Sequence, residues 1–394
     1  MIKQYFEELT DKRQTHKVKH NMLEIIIMTI CAVIAGCEAW EDIADYCRVK
    51  ERWFKESLKM ELKYGIASHD TIQRVFEMLD PKEFEKCFRE WINEVCNKVE
   101  GDIVSIDGKT IRRSGSRDKK AIHMVSAWAN KQQVVLGQMA TDEKSNEITA
   151  VPQLLDVLEI KGCIVTADAM SCQKEIVKKI NEKEADYVLA LKENQQTMLS
   201  EVKEYFEGAL ETSQLYPELK KQPTLDKGHG RIEKRTYYLS TETDWFADKP
   251  LWQKLNAFGM VMSEVERDGK VCRETRYYIT SLDDINKFSE AVRKHWGIEN
   301  SLHWCLDMTF HEDYNRSRKG NSAENMAVVR HLALNALKAN PEPISLARKK
   351  RRCSYDDIFL ADKIDRCPTS TLAPREKLFH GSIFSILKRN NVIR

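Results

Sequence analysis

Along the first hundred residues the apolar positions recur in steps of three and four. They do so through "NMLEIIIMTICAVIAG", "EAWEDIADYCRVKERWFKESL" and "PKEFEKCFREWINEVCNKV", the spacing of amphipathic helices. Two helix starts are visible: Ser68-His69-Asp70 ahead of "TIQRVFEML", and Asp80-Pro81, where proline suits a first-turn position. Residues 1–97 therefore read as an all-helical N-terminal domain. Near residue 100 the period changes to that of strands, with "DIVSIDGKT", "AIHMVSAWAN" and "QVVLGQMAT" in succession. A helix over "EITAVPQLLDVLE" and the strand "GCIVTAD" follow. Next come a helix over "CQKEIVKKINEK" with Ser171 at its cap, the strand "DYVLALK" and the helix "QQTMLSEVKEYFEGAL". That order predicts an α/β domain, a mixed sheet with flanking helices. Residues 209–282 read as a β-rich insertion with an Asp268-Gly269 hairpin. Helical patterns resume over 284–308 and 323–338.

Composition narrows this outline. The chain has 394 residues, 42% of them hydrophobic, enough for one large core and a smaller one. Eleven cysteines without a C-x-x-C pair fit neither a disulfide framework nor a zinc module. No signal-peptide order or spanning apolar run is present, so a cytoplasmic protein that acts away from membranes is expected. The net charge is only +2, but residues 338–394 hold 13 Lys and Arg against 6 Asp and Glu, with "RKKRR" at 348–352. Such a run reads as a basic tail, solvated or facing nucleic acid, over 341–394. Lys12, Arg13, Lys17 and Lys19 form another basic edge.

Three carboxylates stand out by position. Asp107 ends the apolar run "IVSID" and Asp168 ends "IVTAD". Asp107-Gly108 reads either as a hairpin turn or as a strand-end acid, and Asp168 either as the start of a β-to-α loop or as a second such acid. Carboxylates at like ends of neighbouring strands converge where open α/β sheets place their sites. On the helix after Asp284, Phe288, Val292, His295, Glu299, Leu302 and Leu306 share one face, which puts Glu299 in an apolar stripe. A carboxylate there is costly unless paired or bound to metal; pairing at the stripe's margin is the alternative. Asp307, Glu312 and Asp313 are rival acids. An all-oxygen donor set suits Mg²⁺ or Mn²⁺, and two such ions about 4 Å apart would serve in-line phosphodiester chemistry. His295, His303 and His311 fall on drifting faces and are not expected to form a metal site. Trp296 and Trp304 read as packing residues.

"SIDGKTIRRS", "TADAMSCQKEI", "LALKENQ" and "HWGIENSLHWCLDMTFHEDYNRSRKGNSAENMAVVRHLALNALK" resemble the H-repeat-associated insertion-sequence transposases, a branch of the DDE superfamily. "LEIIIMTICAVIAGCEAWEDIADY" and "SHDTIQRVFEMLDP" are similar to that family's N-terminal domain, so the resemblance covers nearly the whole chain to about residue 340. It implies an RNase H-like catalytic domain over 98–340, with Asp107, Asp168 and Glu299 as the catalytic, metal-holding triad. It also implies Mg²⁺ or Mn²⁺ as cofactor and a homodimer on double-stranded element ends and target DNA. A related, broader group carries tyrosine, arginine and lysine around its glutamate; here those positions hold Val292, His295 and Leu306. Lys109, Arg112, Arg113, Lys192, Arg316, Arg318 and Lys319 are the candidate DNA contacts instead, and His229-Gly230-Arg231 is either a turn or a contact at the DNA end. The activity expected is metal-dependent DNA cleavage and strand transfer. Alternatives are a catalytically silent DNA-binding descendant, or a nuclease that does not join.

Overall fold

The computed structural model describes residues 2–365 apart from 96–98, 118–119, 142–146, 213–215, 217–218, 229–230 and 268. Helix α1 (Met22–Ala35) starts where the Asn21 side chain accepts from the Glu24 amide, and stops at Gly36 in the left-handed region. It is apolar on nearly every side and buried along nearly its whole length. It packs against α2 (Trp40–Val49) and α4 (His69–Met78), while α3 (Glu51–Ser57) follows α2 and α5 (Pro81–Val95) lies toward the sheet. Ser68 caps α4, its hydroxyl accepting from the Thr71 amide, and Pro81 opens α5. Lys12 pairs with Asp80 and Arg13 with Asp11, which occupies half of the basic edge.

The sheet follows: β1 (Ile103–Thr110), β2 (His123–Ala129), β3 (Val134–Thr141), α6 (Glu147–Val157), β4 (Ile164–Ala167), α7 (Lys174–Glu182), β5 (Asp186–Leu191) and α8 (Gln196–Glu211). Then come β6 (Leu219–Gly228), β7 (Arg231–Ser240), β8 (Ala257–Arg267) and β9 (Lys270–Thr280). Among the described residues these strands join one sheet in the order β3-β2-β1-β4-β5-β9-β8-β7-β6. Strands β1, β4 and β5 are mutually parallel and every other pairing is antiparallel. The β-rich stretch expected at 209–282 thus extends the main sheet, because β9 pairs with β5 from Val188↔Thr280 to Leu191↔Tyr277. Ser171 does not cap α7; it lies in a 3-10 turn, and Gln173 precedes the helix.

Helices α6, α7 and α8 cover one face of the sheet. The other face carries α9 (Ile285–His295), α10 (Trp304–Met308) and α11 (Ser322–Lys338). Helix α11 is almost wholly buried and ties the two halves together. Its Asn325 amide donates to the Phe76 and Leu79 carbonyls at the end of α4. Its Asn335 accepts from the Val135 amide at 2.9 Å and donates to the Val135 carbonyl at 3.0 Å. Asn335 thereby satisfies edge strand β3 as a neighbouring strand would. Asn335→Leu, which strands a buried donor and a buried acceptor, is expected to cost about 2 to 4 kcal/mol in urea unfolding; a loss below about 1 kcal/mol would contradict this role.

The expected solvated tail is corrected over its described part. Residues 346–365 form α12 (Leu346–Tyr355) and α13 (Asp357–Asp365), packed on α1. Lys349 and Lys350 within "RKKRR" are buried because their ammonium groups donate to the backbone carbonyls of Asn340 and Thr309. The remainder of the tail, 366–394, lies outside the described residues. Among the described residues no single helix is long and apolar enough to cross a membrane.

Candidate active site

Strands β1 and β4 run parallel, and their last paired residues are Ile106 and Ala167. The next residues on each, Asp107 and Asp168, therefore stand side by side at the same end of neighbouring strands. Alternation puts both on the α9 face, above Ser105 and Thr166. Asp107 does not close a hairpin: β1 runs on to Thr110, with Asp107 opposite Ser126 and Gly108 opposite Val125 on β2. Asp168 caps the 3-10 turn Ala169–Ser171, its Oδ1 accepting from the Met170 amide at 3.1 Å.

Burial pushes the Asp107 carboxyl up to about 7. The Gly108 amide pulls it down, while the nearby carboxylates of Asp168, Glu147 and Glu299 push it up. A carboxyl desolvated among other carboxylates lacks positive charge, which is what a hard divalent cation supplies.

Glu299 bears electrostatically on Asp107, but not by the expected route. The single helix read over 284–308 is broken after α9 at Trp296, and a π-helical turn spans Glu299–His303 before α10. Leu302 and Leu306 of the expected stripe are buried, but where α9 gives way to the π-helical turn Ile298 takes the buried position and Glu299 is exposed. The apolar-stripe argument is thus corrected at Glu299, although the residue still bears electrostatically on Asp107. The same break turns Trp296 and Trp304 outward, 38% and 58% exposed, where packing was expected.

The helical break is anchored from beneath. His295 Nδ1 lies 3.0 Å from Thr166 Oγ1, whose hydroxyl donates to Ser105 Oγ at 3.1 Å. The Asn130 amide donates to the same Ser105 oxygen at 2.8 Å. Gly297 sits over Asn130 so closely that a Cβ would come 2.1 Å from its Oδ1. Burial lowers His295 to about 4, leaving the ring neutral.

Two further histidines adjoin the carboxylates. His303 Nδ1 is 3.6 Å from Asp107 Oδ2, and burial lowers that ring to about 4 as well. On the opposite face of the sheet His123 bridges Thr110 Oγ1 at 2.9 Å and Glu147 Oε1 at 2.5 Å, crossing over Gly108. Sequence reading missed His123, and it named His303 only to set it aside as a metal ligand. Pairing of Thr110 with His123 could have been read from strand register, whereas the contact with Glu147 could not. His311 pairs with Glu38, so the three expected non-ligand histidines go to three different places.

Of the basic candidates, Lys109 turns inward onto acidic groups, which differs from the expected phosphate contact. Arg112 is 82% exposed with Nε 3.2 Å from Asp313, and Arg113 lies over the Tyr314 ring at 5.0 Å. Lys192 is exposed just past β5, at the same sheet edge as Asp168. Arg316, Arg318 and Lys319 are exposed along a groove of about 520 Å³ between the start of α2 and the 310–319 segment. His229 and Gly230 lie outside the described residues.

Asp107 and Asp168 are neighbours at one end of the sheet, and Glu299 bears electrostatically on Asp107. Among the described residues no three His, Cys, Asp or Glu side chains stand together at metal-holding distance.

Comparison with known proteins gives concordant matches. Residues 99–336 match a family model described as "Transposase DDE domain", and residues 3–92 one described as "DDE_Tnp_1-associated". The H repeat-associated protein YhhI of Escherichia coli (strain K12) is 38% identical over 372 residues, 91% of this chain and 96% of that one. The transposase-designated YncI of Escherichia coli O157:H7 is 38% identical over 371 residues, 92% and 94% of the two chains. A shorter protein from strain K12 designated an inactive transposase, YbfQ, is 46% identical over 65 residues, 16% of this chain and 75% of that one. A solved piggyBac transposase synaptic complex with hairpin DNA aligns with 96% of this chain and 78% of that one, at 13% identity and a TM-score of 0.41. That likeness is too remote to define the fold.

Proposed function

The chain belongs to the DDE transposase family, and on that premise we propose that it cleaves DNA at the ends of a mobile element and joins those ends to target DNA. The observation that carries this is the adjacency of Asp107 and Asp168 at like ends of parallel strands, with Glu299 near enough to act on Asp107. The order β3-β2-β1-β4-β5, with only β2 reversed, supports an RNase H-like reading of this core.

Asp107 and Asp168 would hold Mg²⁺ or Mn²⁺, two ions in the full arrangement, and Glu299 would complete the set. When bound, such cations supply Lewis-acid activation and charge neutralisation at phosphorus. The chain's part is to hold the mostly buried Asp107 beside Asp168 and to bring the phosphate to them. Water displaces one strand at a phosphodiester and leaves a 3′-hydroxyl. That hydroxyl then attacks a target phosphodiester, one P–O bond forming as another breaks. No protein nucleophile takes part.

Arg316, Arg318 and Lys319, with Arg112, Arg113 and Lys192, would carry the duplex by its phosphates, which position DNA without reading it. The N-terminal helices are the candidate end-recognition part, and two copies would hold two ends. Replacing Arg316, Arg318 and Lys319 together by Ala is expected to reduce the slope of log K against log salt by about 2 to 3, read by fluorescence anisotropy on duplex DNA. An unchanged slope would remove this groove from the DNA path. Joining is tested with a labelled end duplex and a supercoiled target: joined products are expected with Mg²⁺, and nicked products alone would leave a nuclease.

A further inference from the structure

Lys109 follows Asp107 by two residues on β1 and so shares its face of the sheet. It was read from sequence as a phosphate contact, yet its side chain is only 11% exposed and its ammonium meets three carboxylates. Asp307 Oδ1 is 2.8 Å away as an ion contact, and Glu312 Oε2 and Asp313 Oδ1 accept hydrogen bonds at 3.0 and 3.3 Å. All three acids lie on one short stretch, from the end of α10 through a turn that reverses at His311, where φ is +47°. Asp313 Oδ1 also accepts from the Arg112 amide at 3.1 Å. Just beyond, Arg318 Nε donates to the Arg113 carbonyl at 2.9 Å. The stretch is thus stitched to β1 and its extension, with Lys109 as the central cation. Glu312 is almost wholly buried; Lys109, Arg330 and His331 hold its carboxyl below the ordinary value against the effect of burial.

We propose that Lys109 is a positioning residue: it pins the 307–313 stretch to β1 and thereby sets the Glu299–Met308 helical run above Asp107 and the Arg316–Lys319 run beside it. Reaching out to a phosphate would leave three carboxylates, one of them buried, without their shared cation, so the ammonium stays inward when DNA binds. The inference rests on the transposase reading for its consequence in catalysis, and on geometry alone for the pin.

The test uses the full chain with Lys109→Met, Lys109→Arg, Asp307→Asn/Asp313→Asn, and the combination of Lys109→Met with both Asn substitutions. Hydrogen exchange of the 304–319 amides reads the pin without any need for catalysis. Lys109→Met is expected to speed that exchange about tenfold or more, and Lys109→Arg to keep most of the protection. The two Asn substitutions are expected to loosen the stretch when Lys109 is present and to tighten it when Met replaces Lys109. A similar sign in both backgrounds overturns the pin. So does unchanged exchange in Lys109→Met together with a salt slope lowered by about 1, the mark of a phosphate contact. If Lys109→Met alone does not fold, protection in the combined variant at the level of the wild type supports the pin, and its absence overturns it. Cleavage at saturating DNA is expected to fall about tenfold in Lys109→Met and to recover in Lys109→Arg. A wild type that cleaves no DNA would defeat the transposase reading while leaving the exchange result to decide the pin.

Discussion

Asp107→Asn is expected to lower metal-dependent DNA cleavage by about a thousandfold or more, while making the metal-free protein more stable. Both effects come from the same crowding. In the folded chain the carboxyl is raised to about 7, chiefly by burial, against an ordinary value of 3.8. Since the folded value lies above the unfolded one, ionisation opposes folding. The penalty is absent below about pH 4, grows as pH rises through the window to about 7, and is complete above it. A difference of that size corresponds to at most about 4 kcal/mol, and screening at a side chain that is 22% exposed leaves about 2 kcal/mol. Urea midpoints should therefore show Asp107→Asn more stable than wild type at pH 8 and equal to it near pH 4. Added Mg²⁺ should raise the melting temperature of the wild type increasingly above pH 7, because cation and proton compete for the same oxygens, and should do little for the variant. Equal Mg²⁺ stabilisation of both proteins would take Asp107 out of the metal set.

Gly108→Ala should be the most damaging conservative substitution next to the site. A Cβ at Gly108 would stand 2.2 Å from His123 Nε2 and 2.4 Å from Glu147 Oε1. Both atoms belong to a buried pair locked from the other side by Thr110. Both side chains are buried and bonded to each other, so the methyl group separates them and leaves buried polar groups unpaired. A cost of about 3 to 5 kcal/mol is expected, together with displacement of β1 next to Asp107. Gly228→Ala is the control, since a Cβ there meets nothing within 4 Å; it should change stability by about 0.5 kcal/mol or less. Equal effects of the two in thermal unfolding would mean that the His123–Glu147 clamp does not hold β1.

The legible parts of the site are those that depend on local period. Asp107 and Asp168 each close an apolar run, and parallel pairing of two such runs leaves little freedom in where the next residues stand. Counting steps of three and four singles out Glu299 but places it on a buried face; its exposure was not legible, because a π-helical turn has no reliable signature in the period it interrupts. Lys109 shows a different limit. From sequence it is a basic residue after an acid in "DGKT"; only contacts with residues about two hundred positions away reveal that it faces inward. Lys349 and Lys350 were misread for the same reason, since the carbonyls that make their burial tolerable belong to other elements. Strand β6, polar and bearing Pro223, gave no strand pattern, yet it closes the sheet edge, where proline and lysines are tolerated.

The most direct test of the central claim offers labelled element-end duplex to wild type, Asp107→Asn, Asp168→Asn and Glu299→Gln, each with Mg²⁺ and with chelator, and scores 3′-hydroxyl ends. The account predicts cleavage by the wild type with Mg²⁺ only, and loss of it in all three variants while duplex affinity in chelator stays within about twofold. Cleavage that survives Asp107→Asn and Asp168→Asn, or that proceeds fully in chelator, would contradict it.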